Sequence, residues 1–191
     1  EANALALDCV HWIDQRDRQT LGFDPETWLR TLRARILLYL DRFAEADIIL
    51  GGLLDGRPLD TVHRVNAHGT RIEGYRKTRT DIALDEAAQL RAILQKNATP
   101  YLKVIGNRYC ALALLAGGTP HDAVDLLTET LDYARSQNAG LEVEPYLLTA
   151  LAEAMTAPGS SAARATATEA LGLAQRRAMR NAEREARALL M

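Results

Sequence analysis

Ala123-Val124-Asp125-Leu126-Leu127-Thr128-Glu129-Thr130-Leu131-Asp132-Tyr133-Ala134 has a partner forty residues on, Ala163-Arg164-Ala165-Thr166-Ala167-Thr168-Glu169-Ala170-Leu171-Gly172-Leu173-Ala174. Ala123 falls on Ala163, Glu129 on Glu169, Leu131 on Leu171 and Ala134 on Ala174. The breaks after them align without insertion, Asn138-Ala139-Gly140 on Ala178-Met179-Arg180. Self-similarity at a fixed period marks a repeat architecture, in which each unit buries its apolar face only by stacking on its neighbours.

Working outward, Phe43-Ala44-Glu45-Ala46 and Leu84-Asp85-Glu86-Ala87 read as earlier copies of the same corner. Ala46, Ala87, Ala123 and Ala163 would then be the corner alanines, spaced 41, 36 and 40 residues apart, with Ala83 and Ala88 as rivals of Ala87. A small residue there lets two antiparallel helices approach closely. The segments between the corners carry helix start and stop signals. Asp24-Pro25 and Thr99-Pro100 pair a capping residue with proline at the first helical position. The expected helices cover roughly 3–18, 25–40, 44–54, 61–79, 81–96, 99–116, 120–137, 145–156 and 161–179, with another begun at 181–191.

Composition agrees with helix nearly throughout. Hydrophobic residues make up 48% and aromatics only 5%, so Ala and Leu, both strong helix formers, carry the core. The net charge of −2 comes without a basic block, which argues against nucleic-acid binding. No apolar stretch approaches the roughly 20 residues that span a bilayer. The N-terminal residues lack a cleavage-site pattern, so a cytoplasmic protein is expected. Cys9 and Cys110 read as two separate buried thiols. The expected fold is all-α: one α-α superhelix of about four helical hairpins (25–57, 60–97, 99–138 and 141–180), with 1–20 and 181–191 as flanking helices.

At its corners the chain resembles tetratricopeptide-like repeats. Arg42-Phe43-Ala44-Glu45-Ala46 is similar to that family's turn, with Arg42 where glycine is usual, and Gly118-Thr119-Pro120-His121-Asp122-Ala123 matches it more closely. Repeats of this longer period resemble the C-terminal helical regions of multidomain bacterial regulators, namely class III nucleotide cyclases fused to an ATPase module and transcription activators of the maltose-regulator type. Glu144-Pro145-Tyr146-Leu147-Leu148 and Arg164-Ala165-Thr166-Ala167-Thr168-Glu169-Ala170-Leu171 are similar to the end of such a region. The resemblance implies a non-catalytic regulatory module. It would bind a protein partner, or a domain of its own chain, through its concave face. The alternative is a sensor that holds an anionic small molecule between repeats.

The residues offer little catalytic chemistry. There is no phosphate loop, nucleophile elbow or HExxH motif. His63 and His68, five residues apart, point to different sides of a helix and would not share a metal. Neither a cofactor nor a metal is expected. Gly51-Gly52 and Gly117-Gly118 read as turn glycines, and carboxylates such as Asp85-Glu86 and Glu142/Glu144 as solvated groups. The less bland feature is a set of arginines on the first helices of successive hairpins. Arg35, Arg76, Arg79 and Arg108, with Tyr75, Asn107 and Arg71 beside them, are expected on one concave face. Forked guanidinium groups there would suit carboxylates or phosphates.

Overall fold

Asp24 opens the first helix in the way its sequence suggests: its carboxylate accepts from the Glu26 N–H, and Pro25 occupies the first turn. The computed structural model describes residues 24–56, 59–155 and 160–191. The expected helix over 3–18, with Cys9, lies outside the described residues. Nine α-helices follow among the described residues: α1 (Pro25–Tyr39), α2 (Phe43–Gly56), α3 (Thr61–Tyr75), α4 (Thr80–Asn97), α5 (Pro100–Ala116), α6 (Pro120–Gln137), α7 (Glu144–Ala154), α8 (Ser161–Arg176) and α9 (Arg180–Ala188). A single 3-10 turn, Leu141–Val143, precedes α7, and there is no strand among the described residues.

The helices pair in order as antiparallel hairpins, α1–α2, α3–α4, α5–α6 and α7–α8, with α9 packed on α8. The first helices also pack on one another in sequence, α1 on α3, α3 on α5, α5 on α7 and α7 on α9. They form an inner layer, and the second helices flank it on the outside. This is the all-α superhelix of stacked hairpins that the repeat implies.

The second helices share one register. Ala83, Ala87, Leu90 and Leu94 in α4, Ala123, Leu127, Thr130 and Ala134 in α6, and Ala163, Ala167, Ala170 and Ala174 in α8 are all buried. The corner alanine of the second hairpin is therefore Ala83 and not Ala87. The N–H groups of Ala46, Ala83 and Ala123 each bond the carbonyl four residues back, of Arg42, Arg79 and Thr119. The spacings become 37, 40 and 40. Ala87 is buried one turn further in, where α6 carries Leu127.

Several helices end on a left-handed residue closed by a six-residue hydrogen bond, as in a Schellman cap. Asp41, Gly118, Asn138 and Ala178 have φ of 56°, 78°, 50° and 54°. The N–H that follows each bonds Leu37, Leu114, Ala134 and Ala174. Asn138 and Ala178 are the residues that the forty-residue repeat aligned. The other glycine pair behaves differently from its expectation. Gly51 and Gly52 lie within α2, because the run Phe43–Gly56 stays helical through them.

Two apolar clusters fill the interior. The larger runs from α3 to α9 around Leu90, Leu127, Leu147 and Cys110. Burial pushes the Cys110 thiol up to about 11, which leaves it an inert core group. The smaller cluster joins α1, α2 and α3 around Leu37, Leu50 and Tyr75.

Candidate functional site

The inner layer lines a half-open cavity of about 480 Å³. Its walls come from all five inner helices: Arg35 and Tyr39 on α1, Thr70 and Glu73 on α3, Arg108 on α5, Thr149 and Glu153 on α7, and Glu185 on α9. Arg76, which follows α3, also lines it. The first and last described helices therefore bound the same space.

Close backbone packing builds the deep wall. A side-chain carbon at Gly69 would overlap the ring of Tyr109, and one at Gly74 would come within 2.5 Å of Leu38. These two glycines let α1 and α5 approach α3. The Tyr109 ring lies against α3, and its hydroxyl accepts from Arg35 Nη2 at 3.1 Å. The same nitrogen donates to Thr70 Oγ1 at 3.1 Å. Arg108 Nη2 donates to Glu73 Oε1 at 3.2 Å, and Arg35 Nε stands 3.8 Å from the other oxygen of that carboxylate. The Arg108 guanidinium sits 5.4 Å and 5.1 Å from the Tyr109 and Tyr146 ring centres, within cation–π range.

The electrostatics follow. Burial raises the Glu73 carboxyl, but Arg108 and Arg35 outweigh it and hold the group below the usual carboxylate range. Burial lowers the Arg108 guanidinium, but Glu73 and Tyr109 outweigh it. Elsewhere on the lining, Arg76 Nη1 donates to both Glu153 oxygens at 3.0 and 3.2 Å. Glu185 differs. Its side chain makes no hydrogen bond or ion pair to another described residue, and burial pushes its carboxyl up against the opposing effect of nearby arginines, Arg108 first among them.

Comparison with family models, with curated proteins and with solved structures returns no match for this chain. The functional reading therefore rests on the geometry and on the resemblance of the repeat corners.

The cavity brings together Arg35, Arg76 and Arg108, and it leaves out the rest of the expected row. Helix α3 ends at Tyr75 and not near residue 79, because the N–H groups of Thr78 and Arg79 fold back onto the Tyr75 carbonyl. Arg79 thereby becomes the residue that starts α4, exposed and 3.7 Å from Asp81. Tyr75 is buried in the smaller core, its ring stacked 5.5 Å from Phe43. Asn107 donates to Thr130 Oγ1 at 3.2 Å and ties α5 to α6. Arg71 turns to the outer side of α3. It donates at 2.6 Å to Glu86 Oε1, while His68 Nδ1 stands 2.6 Å from Oε2.

The carboxylates depart most from expectation. Glu86 is only 4% exposed and bound by Arg71 and His68. Glu144 is buried between Arg135 and Arg177. Neither is the solvated group its polar context suggests, because each meets a cation from another helix. Glu73, Glu153 and Glu185 were missed as cavity residues. The available signal was the face of α3: Thr70 and Glu73 lie three residues apart on the side away from His68 and Arg71.

Proposed function

We propose that this chain is a non-catalytic, ligand-binding regulatory module of a larger protein, with the inner cavity as its site. The observation that carries the reading is the origin of the walls. One cavity of about 480 Å³ is bounded by α1, α3, α5, α7 and α9 together. That volume falls within the roughly 300–1,000 Å³ of typical small-molecule sites. A ligand there touches every hairpin at once, so its binding energy acts directly on the curvature of the superhelix. The likeness of the corners to tetratricopeptide-like repeats of bacterial multidomain regulators supplies the setting, in which curvature is passed to an attached effector domain in the cytoplasm.

A second reading, a docking site for a protein partner or a domain of the same chain, draws on the rim. Tyr39 and Leu40 at the end of α1 are exposed by 68% and 56%, beside the cavity mouth. Exposed aromatic and aliphatic side chains next to a pocket suit a partner's anchor.

The two readings separate by experiment. Ala188 lines the cavity on its exposed side, so Ala188→Trp should fill the mouth without disturbing the core. Small molecules that raise the unfolding midpoint of the wild type should lose that effect in the variant. They should also change the small-angle scattering profile on binding. Ligands that bind both proteins equally would move the site elsewhere. Partner binding that survives Ala188→Trp but fails in Tyr39→Ala would favour the docking reading.

A further inference from the structure

We propose that the inner cavity takes a dipolar ligand with an apolar body, an α-amino acid or a short peptide held by both of its charged ends. This rests on the ligand-binding reading above and names the class of molecule. Arg35 on α1 and Arg108 on α5 share the single carboxylate of Glu73. Two guanidinium groups on one carboxylate leave one positive charge in excess. On α9, at the other end of the inner layer, the Glu185 side chain has no hydrogen-bond or ion-pair partner among the described residues. Arg76 pairs with Glu153, and the remaining charged lining, Lys77 and Asp41, carries one charge of each sign. The lining is therefore neutral in sum but polarised, with its excess positive charge on α1 and α5 and its excess negative charge on α9.

The two excess charges feel each other without meeting. Arg108 is the cation that acts most strongly on Glu185, yet no ion pair joins them. The Arg108 guanidinium is instead engaged by Glu73 and by the faces of Tyr109 and Tyr146. A half-buried carboxylate without a partner is costly, and a fold that keeps one beside a cavity marks a site that another molecule completes. A simple anion would satisfy the arginine wall and meet repulsion from Glu185. A simple cation would do the reverse. A molecule carrying both groups satisfies both walls, its carboxylate toward Arg35 and Arg108 and its ammonium toward Glu185. Leu38, Ala188 and Leu189 supply an apolar lining for the body between them.

The test uses calorimetry on the whole chain with five probes: L-phenylalanine, N-acetyl-L-phenylalanine, L-phenylalaninamide, the dipeptide Phe-Leu and succinate. One of the two zwitterions, the amino acid or the dipeptide, should bind, and which one binds distinguishes the free from the peptide source. Blocking either charged end of phenylalanine should weaken binding at least tenfold. Glu185→Gln should lose at least tenfold toward the zwitterion while narrowing its preference over the N-acetyl form, with an unchanged circular dichroism spectrum. Ala188→Trp should abolish binding. If N-acetyl-L-phenylalanine or succinate binds as tightly as any zwitterion, and Ala188→Trp removes that binding, the dipolar assignment falls and the ligand-binding reading stands. If none of the five binds the wild type at millimolar concentration, the dipolar assignment falls. A small-molecule screen without any hit sensitive to Ala188→Trp would remove the ligand-binding reading as well.

Discussion

Helix α3 carries two ionic clusters on opposite faces, and they solve the same problem differently. On its outer face His68 and Arg71 meet the Glu86 carboxylate of α4, and Arg71 reaches Asp47 of α2 at 3.3 Å. Both Glu86 oxygens are taken there, and the group is almost sealed from water. On its inner face Glu73 serves Arg35 and Arg108, and the cluster opens into a cavity with Glu185 left over. Each cluster leaves guanidinium Nε donors without a hydrogen-bond partner among the described residues, Arg71 on the outer face and Arg35 and Arg108 on the inner. The outer cluster closes between packed helices, whereas the inner one lines a cavity beside a carboxylate that pairs with no described residue. The difference teaches that arginine and glutamate content does not separate a structural cluster from one that opens onto a cavity, whereas the space beside it and the leftover carboxylate do.

The sharpest way to break the comparison is to remove the central carboxylate on each side. Glu86→Ala strands a buried His68 and a part-buried Arg71 and should cost about 3–5 kcal/mol, the range for breaking a buried ion pair. Glu73→Ala should cost less, about 1–3 kcal/mol, because the Arg35 side chain keeps 31% of its surface open. Urea denaturation of the two variants measures both, and equal losses would erase the distinction between the faces.

The inner cluster can also be loosened without touching a charge. Gly69→Ala places a methyl group against the Tyr109 ring, and overpacking of this kind costs roughly 1–3 kcal/mol. The ring must move, and the Arg35–Tyr109 hydrogen bond moves with it. The variant should lose stability and ligand affinity together, whereas the His68–Glu86 contact stays. A stable Gly69→Ala protein with unchanged binding would show that the deep wall does not depend on that approach.

Acidity distinguishes two of the cavity carboxylates, Glu73 and Glu185, with smaller effects of opposite sign. Glu73 has a lowered value when folded. Its stabilisation is present above the ordinary glutamate range near pH 4.3 and is lost as pH falls through the folded value. Glu185 has a raised value. Its contribution is complete below the ordinary range and is lost as pH rises through the folded value. Glu73→Gln should therefore flatten the acid side of the stability profile. Glu185→Gln should make the protein slightly more stable at neutral pH and no different below about pH 4. Denaturation midpoints across pH 3–8 check both slopes, and the same slope in both variants would sink the polarised cavity.

The smallest effect belongs to Arg79→Ala. Its pair with Asp81 is exposed on both sides, and substitutions of that kind stay within about 0.5 kcal/mol. Ligand binding should be unchanged as well. A clear loss of affinity would return Arg79 to the site.

Much of this was legible in the chain. The forty-residue match of Ala123–Ala134 to Ala163–Ala174 gives the register that burial follows, because a helix's buried stripe is written in its own spacing. Counting back from the corner alanines places Arg35, Arg76 and Arg108 on the concave face, and they lie on α1, just after α3 and on α5, where they line the cavity. Arg79 was misplaced because the end of α3 has no glycine or proline to mark it. A three-residue turn closed on the Tyr75 carbonyl decides that boundary. Ala83 was passed over for Ala87 because several alanines sit close together in α4, and only packing selects among them.

The sequence by itself determined the helices, their pairing and the stacking order, since propensity, caps and apolar period are local properties. It also set Arg35 and Arg108 on first helices of the hairpins. Only the tertiary structure decided what those arginines meet. Glu73 meets Arg108 from 35 positions away along the chain and Glu153 meets Arg76 from 77, whereas Glu185 pairs with none of them. Whether a carboxylate becomes solvated, saturated or left over depends on distances between helices, and those follow from how closely Gly69 and Gly74 let the backbones approach.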